Sequence, residues 1–346
     1  MSFKVIVEPS GLTFEVEPGQ NVLDAALAAD VMLPYSCKGG GCSTCKGKVL
    51  TGEYEAGEAP EHILEQHELD QGYTLMCQAC PTSDMRIESP QARLVTDIQV
   101  RKMPARVIQM EALTDDVMRL VLQLPASQPV NYYAGHYLDV ILKDGRRRSY
   151  SMANPPQENN QIELHIRHLP GGAFTDHVFG ATEPAMKERA MLRTEGPMGS
   201  FFLREEGSKP LIFLASGTGF APIKAIIEQM QAQNMQREVR FYWGGRRPKD
   251  IYMMEQAQQW AQTLPNFSFV PVVSEALAED NWTGRTGFVH HAVMEDIPDL
   301  SGFEVYACGA PAMIENAQRD FVAQCGLDEA VFYADAFTSE ADLAAS

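Results

Sequence analysis

Five of the seven cysteines in this 346-residue chain fall within its first eighty residues: Cys37, Cys42, Cys45, Cys77 and Cys80. Cys308 and Cys325 lie far downstream. An odd number of clustered thiols fits a metal centre better than a disulfide framework. The run Cys37-Lys-Gly-Gly-Gly-Cys42-Ser-Thr-Cys45 puts three thiolates on one loop. Gly39, Gly40 and Gly41 would let that loop curl around a small inorganic core and aim N–H groups at the sulfurs, where such hydrogen bonds tune a reduction potential. Two metals suit the pattern. An iron–sulfur core would take Cys37, Cys42, Cys45 and one distant thiol. Zinc would take the pairs Cys42/Cys45 and Cys77/Cys80, leaving Cys37 and the glycine run unexplained.

Other stretches could hold anions. Arg148-Ser149-Tyr150-Ser151 offers a guanidinium fork, an aromatic face and two hydroxyls. Gly171-Gly172-Ala-Phe-Thr175 opens a predicted helix, where free N–H groups and the helix dipole favour a phosphate; its bland alternative is a plain turn. Leu214-Ala-Ser-Gly217-Thr218-Gly219-Phe-Ala-Pro222 runs from a strand into a helix, and its glycines permit close approach of a dinucleotide pyrophosphate, although the spacing is not G-x-G-x-x-G. Cys308 follows a strand and opens a helix at a predicted sheet edge, a setting that suits function. Cys325 has no such setting and reads as core.

The elements that must position these residues change character along the chain. Phe3–Glu8 and Leu12–Glu17 read as strands around a turn at Gly11. Asn21 can cap a helix over Val22–Ala29, and Lys46–Leu50 and Met85–Glu88 read as further strands. Residues 91–100 read as a connector. Beyond it come short strands (Val117–Leu124, Tyr137–Leu142, Ile162–Ile166, Ala190–Arg193) punctuated by turn signals, which suggests a small β-barrel. From Pro210 strands alternate with helices: Leu211–Ala215, Pro222–Gln233, Val239–Trp243, Met253–Thr263, Phe267–Val273, Phe288–Met294, Glu304–Ala307 and Ala312–Gln324. That alternation predicts a parallel α/β sheet. The expected domains are therefore 1–93, 101–204 and 208–338, with 339–346 a loose tail.

The formal net charge is −18, which argues against nucleic acid as a partner. Residues 1–93 hold six basic and fourteen acidic side chains, so this short segment could steer a basic protein partner; the alternative is that acidity merely aids solubility. No window approaches the roughly eighteen uninterrupted apolar residues of a membrane span. Met1-Ser2-Phe3-Lys4 lacks the basic-then-apolar order of a signal peptide, so the expected location is the cytoplasm.

Residues 1–90 resemble a plant-type [2Fe–2S] ferredoxin domain, in the C-x4-C-x2-C spacing and in Leu75-Met-Cys77-Gln, which is similar to the context of the fourth ligand. The resemblance implies Cys37, Cys42, Cys45 and Cys77 as iron ligands and Cys80 as a spare. Arg148-Ser149-Tyr150-Ser151 resembles the R-x-Y-S motif of the ferredoxin–NADP reductase superfamily, which binds FAD. Glu163-Leu-His165-Ile-Arg167 falls where that superfamily makes a second set of flavin contacts, although His165 also reads as a buried structural histidine. Gly171, Gly172 and Thr175 resemble its flavin-phosphate signature. Gly217, Thr218, Gly219 and Pro222 match its G-x-G-x-x-P nicotinamide motif, and Cys308, Gly309, Pro311 and Met313 its C-G-x-P-x-M, in which the cysteine sits beside the reacting nicotinamide. Phe332-Tyr-Ala-Asp335-Ala-Phe337 is similar to its aromatic–acid–aromatic end, near the flavin ring. Here an aspartate replaces the commoner glutamate and a tail follows Phe337; both departures weaken a catalytic assignment for Asp335, whose role the resemblance leaves open.

Taken together, the chain resembles the three-domain NAD(P)H-dependent reductases of ferredoxin type. These include the reductase components of benzoate, phenol and methane oxygenases and of a sugar dehydrase; Arg146–Ser151 and Gly171–His177 fit the last kind well. The resemblance implies a multi-domain α+β and α/β fold: a β-grasp ferredoxin domain, a flavin-binding β-barrel and a parallel α/β nicotinamide-binding domain. It implies hydride transfer from NADH to FAD, then single electrons to the cluster and on to a redox partner protein, oxygenase or dehydrase. Ser151 and Thr218 would position the reactants, with Cys308 beside the nicotinamide. Gly244-Gly245 and Asp250-Ile-Tyr252 resemble NADH-using relatives, whereas Arg246 and Arg247 could grip the 2′-phosphate of NADPH; NADH is expected. The rival readings are a free-flavin or quinone reductase with no protein partner, and a zinc-binding non-enzymatic module.

Overall fold

Asn21 begins the first helix by accepting the N–H of Asp24 at 2.8 Å, as an N-cap must. The helix, Val22–Ala28, buries Val22, Leu23, Ala25 and Ala26 against a five-stranded sheet. Across that sheet run Leu12–Val16, Phe3–Glu8, Met85–Glu88, Lys46–Thr51 and Tyr73–Leu75, with Phe3–Glu8 parallel to Met85–Glu88. Val5, Val7, Phe14 and Val16 alternate inward and lie within 4% of full burial. In this computed structural model residues 2–61, 63–127 and 129–338 are described, so the tail expected at 339–346 lies outside the described residues. The presumed connector is partly ordered as sheet: Arg93–Leu94 pairs with Val31–Met32.

The second sheet has six antiparallel strands in the order Arg147–Ser151, Tyr137–Ile141, Met191–Met198, Arg101–Ala112, Val117–Gln123 and Gln161–Arg167. A bridge between Met152 and Leu164 joins its two ends, which closes the barrel. The strand Arg101–Ala112 is absent from the runs read in the sequence. Its inward set Met103, Ala105 and Val107 is broken by Pro104 and then by a register shift between Val107 and Gln109.

The third sheet is parallel throughout, in the order Arg285–Thr286, Phe267–Val273, Val239–Gly245, Leu211–Ser216, Glu304–Gly309, Phe332–Ala336. Helices Phe220–Ala232, Met254–Thr263, Val289–Asp296 and Pro311–Cys325 cover it. Strand order reverses between Leu211–Ser216 and Glu304–Gly309, which opens a crevice beyond their C-terminal ends. Phe332–Ala336 was read only as a chain end. It is the sixth strand, and its register sets Asp335 directly beside Cys308. Among the described residues no helix is long and apolar enough to cross a membrane.

Candidate functional site

The cysteine loop brings four thiols together. Cys37 Sγ and Cys42 Sγ are 3.2 Å apart, and Cys45 pairs with Cys77. Backbone N–H groups already point at these sulfurs: Gly39 N–H lies 3.4 Å from Cys37 Sγ, with Gly41 and Cys42 also donating to it, and Gly40 donates to Cys77. The S–H of Cys42 and these amides draw the Cys37 thiol down to about 6, while Cys42 and Cys45 are pushed well up by their partner sulfurs and by burial. Four thiols in two adjacent pairs, ringed by amides, fit a core of two irons. Gly40 sits at φ +79°, open to glycine but strained for other residues. Cys80 stands apart, its Sγ directed to Gly19 O at 3.9 Å and Gln78 O at 3.7 Å. This separates the pair a zinc site would need.

In the barrel, side chains of Arg147–Ser151 alternate. Arg147 and Ser149 face Asp139, with Ser149 Oγ donating to Asp139 Oδ1 at 2.7 Å. Arg148 and Tyr150 face the other way, and the Tyr150 ring packs 5.4 Å from Phe174. Across the barrel Arg167 approaches the third domain: a Cβ on Gly217 would lie 3.8 Å from its Cζ. Its Nε lies 3.7 Å from Asp116 Oδ2, and its buried Nη2 has no hydrogen-bond partner among the described residues.

His165 is buried at the junction of the barrel and the α/β domain. Its Nε2 lies 2.9 Å from Glu163 Oε1 and its Nδ1 2.8 Å from Tyr252 OH, so both ring nitrogens are committed. Burial lowers its pKa. Despite the opposing effect of burial, His165, Lys224 at 3.1 Å and Arg119 at 2.8 Å keep Glu163 ionised far below the usual carboxylate range. The cluster ties barrel to α/β domain. Expectation needs correction at the helix Ala173–Phe179: Gly171 N–H donates to the Asp176 carboxylate at 3.1 Å, Gly172 N–H donates to Leu169 O at 2.8 Å, and Thr175 Oγ1 donates to Leu169 O at 2.9 Å. The protein's own groups therefore take much of the presumed phosphate cradle.

At the crevice, backbone meets backbone. A Cβ on Gly219 would lie 2.1 Å from Cys308 O, and one on Gly309 2.3 Å from Ser216 Oγ, so only hydrogen fits at either place. Ser216 Oγ accepts Ala310 N–H at 2.9 Å, and Trp243 Nε1 donates to Gly217 O at 3.1 Å. Half-buried Thr218 flanks the turn, Pro222 lies in the first turn of its helix, and Pro311 opens the helix that carries Met313. Phe337 N–H donates to Gly309 O at 2.8 Å, holding the chain end at the same crevice. Of the two arginines beyond Val239–Gly245, Arg246 is exposed. Arg247 is held by Asp280, at 2.6 Å from its Nε, and by Glu279 at 3.0 Å. Arg247, the alternative 2′-phosphate ligand, is thus already paired with two carboxylates.

All three domains meet at Asp335, which is 4% exposed. Ser36, from the cysteine loop, donates to its Oδ1 at 2.7 Å. Ser151, from the barrel, donates to its Oδ2 at 3.3 Å, and the Cys308 thiol lies 3.9 Å from the same oxygen. Burial pushes the carboxyl up to about 6, against the pull of these donors. Burial also keeps Cys308 a neutral thiol. The sequence left the role of Asp335 open, and the structure places it among groups from all three domains. Its signal was available in the apolar, strand-like run around it; Ser36 carried none beyond standing next to Cys37.

Comparison with known proteins follows the same division. The family described as 2Fe-2S iron-sulfur cluster binding domain matches residues 5–82. Oxidoreductase FAD-binding domain matches 104–203 and Oxidoreductase NAD-binding domain 213–319. The chain is 41% identical over 337 residues to the CDP-6-deoxy-L-threo-D-glycero-4-hexulose-3-dehydrase reductase of Yersinia pestis, covering 97% of this chain and 99% of the relative. It is 33% identical to reductase component 1 of the terephthalate 1,2-dioxygenase of a Comamonas species, covering 98% of each. Among solved structures it is similar to the Amycolatopsis cytochrome P450 reductase GcoB, with a TM-score of 0.75 and 34% identity over 97% of this chain and 99% of that one.

Proposed function

The chain belongs to the ferredoxin-type reductases that join a [2Fe–2S] domain to FAD- and NAD-binding domains, and from that premise we propose how its residues divide the work. It is an NAD(P)H-dependent iron–sulfur flavoprotein oxidoreductase. When bound, the flavin takes an electron pair from the nicotinamide and releases electrons singly to the cluster, which hands them to a partner protein. The boundaries 1–93, 101–204 and 208–338 are the proposed domains.

Cys37, Cys42, Cys45 and Cys77 would hold the irons, with Gly39, Gly40 and Gly41 supplying hydrogen bonds to sulfur. Arg148 and Arg167 hold phosphate oxygens of FAD, Tyr150 lies against its ring system, and Ser149 and Gly171, Gly172 and Thr175 shape the pocket rim. His165 acts as a strut between barrel and α/β domain. Gly217, Thr218, Gly219, Pro222, Gly309, Pro311 and Met313 form the nicotinamide crevice, and Phe337 closes it. Cys308 and Ser151 orient the reacting partners through their shared contact with Asp335, whose carboxyl can hold a proton in a site that excludes water.

The observation that carries this reading is the convergence of Ser36, Ser151 and Cys308 on one buried carboxylate, because it puts one end of each cofactor site within the same few ångströms of protein. NADH is the proposed donor, since Arg247 is neutralised by Asp280 and Glu279; a higher kcat/KM for NADPH would overturn that choice. The proposed acceptor is a dehydrase or oxygenase component, with the 41% identity to a dehydrase reductase favouring the former. The proposed location is the cytoplasm, where thiols stay reduced for metal. Anaerobic NADH should bleach both the flavin bands and the broad iron–sulfur envelope of the purified protein. A colourless protein that binds zinc and no flavin would refute the reading.

A further inference from the structure

The dipeptide Tyr35-Ser36 precedes the first cluster thiol, and nearly every polar group it offers is engaged outside its own domain. Tyr35 N–H donates to Ser200 Oγ at 2.8 Å, Ser200 Oγ is 3.1 Å from Tyr35 O, and Gly199 N–H donates to the Tyr35 hydroxyl at 2.7 Å. Tyr137 OH donates to Ser36 O at 3.0 Å. These four contacts reach the barrel alone. The Ser36 hydroxyl is the exception, because it reaches the α/β domain: 2.7 Å to Asp335 Oδ1 and 3.1 Å to Ala336 O. Both serine and aspartate are buried, with Ser36 8% and Asp335 4% exposed. Cys37 and Cys42 pack in the same apolar group as Ala336. The carboxylate is thus shared, one oxygen with the cluster loop and the other with Ser151 and Cys308.

A side chain serving only to fill an interface would not need this geometry. The hydrogen bonds of Tyr35 and of the Ser36 carbonyl to Gly199, Ser200 and Tyr137 already dock the loop on the barrel. The hydroxyl adds a directional link between the backbone that carries Cys37 and the residues beside the hydride site. A hydrogen bond to a buried charged group is short-ranged and strong, so it defines position where apolar packing alone leaves slack.

We propose that Ser36 is a positioning residue for electron transfer from flavin to cluster: its hydrogen bond to Asp335 registers the cluster loop against the Ser151–Asp335–Cys308 unit. Each event it assists moves one electron from the reduced flavin to the oxidised cluster, turning one ferric iron ferrous, with NADH as the source of electrons. No bond forms or breaks at Ser36. This inference rests on the electron path proposed above.

The test uses the holoenzyme with Ser36→Ala and Ser36→Thr, mixed anaerobically with NADH and followed separately at flavin and cluster wavelengths. Losing a hydrogen bond to a charged group weakens a docked arrangement by about ten- to a hundredfold. Ser36→Ala should therefore slow reduction of its cluster about tenfold more than it slows reduction of its flavin. Amide hydrogen exchange in the oxidised protein should quicken in both 35–42 and 332–337, a change independent of turnover. Ser36→Thr should restore both readouts. Parental cluster rates and exchange in Ser36→Ala would overturn the proposal, and so would equal slowing of both phases, which would assign Ser36 to the hydride site. If Ser36→Ala loses its cluster, Ser36→Val against Ser36→Thr isolates the hydroxyl at constant shape; cluster loss in both hydroxyl-free variants would assign Ser36 to cluster retention and equally overturn it. A parent protein whose flavin and cluster both ignore NADH would instead refute the electron path itself.

Discussion

Gly219→Ala adds one methyl group where two backbones touch. Gly219 has φ −57° and ψ −12°, values any residue adopts, so conformational strain is absent and sterics act alone. The new carbon would stand 2.1 Å from Cys308 O, 2.5 Å from Cys308 C and 2.9 Å from Gly309 Cα, whereas ordinary contact begins near 3.4 Å. The obstacle is no flexible side-chain tip. It is the end of Glu304–Gly309, paired on one side with Leu211–Ser216 and on the other with Phe332–Ala336. Separation of the two loops by roughly an ångström or more is the only relief. Overpacking that neighbours can absorb costs about 1–3 kcal/mol; central strands yield little, so the expectation is the upper end, about 3 kcal/mol. Over 346 residues that corresponds to a Tm lower by about 4 °C. The functional effect should be more selective, since a misplacement of about 1 Å at reacting groups costs on the order of a hundredfold in rate. The assay is anaerobic stopped-flow reduction of flavin by NADH, alongside reduction by dithionite and a thermal melt. We expect slow NADH reduction with normal dithionite reduction and full flavin and cluster content. Parental Tm together with parental NADH kinetics would refute the argument that this contact sets the crevice.

Three further outcomes follow from the site. Cys80→Ser should retain the iron–sulfur absorption envelope, because Cys80 lies outside the thiol group; its loss would mean that the ligand set is wrong. Cys308→Ala should bind flavin normally but be reduced by NADH about ten- to a hundredfold more slowly, from lost orientation at the reacting centre; unchanged rapid kinetics would remove that role. Asp335 is raised in the fold to about 6 from an ordinary 3.8, so the native state keeps this proton longer than the unfolded chain does. Its contribution to stability therefore falls as pH rises from about 4 to about 6, by about 3 kcal/mol in all. Asp335→Asn lacks that titration and should gain stability relative to the parent over the same window; a pH-independent difference between the two melts would contradict the shift.

What was legible in advance was local. Asn21 reads as a cap and caps, the C-x4-C-x2-C loop reads as a thiolate cradle and folds as one, and the alternation from Pro210 reads as a parallel sheet and is one. Other readings change once the side chains are in place. Arg247 looks like a phosphate ligand until Asp280, 33 residues away, is placed against it. His165 looks free to meet a flavin until Tyr252, 87 residues away, takes its Nδ1. Gly171 and Gly172 look like an empty anion cradle until Asp176 turns its carboxylate back on the loop.

Residue type and spacing along the chain determined which cofactors this protein is built to hold, because ligand loops and glycine turns work within about ten residues and their sterics are written in the chain itself. Which residues meet was decided only by tertiary structure. Asp335 faces Cys308 through strand register, Ser151 through closure of a barrel, and Ser36 across 299 residues through docking of a separate domain. Such contacts depend on how whole sheets pack, and a buried carboxylate reveals its neighbours only when the layers around it are in place.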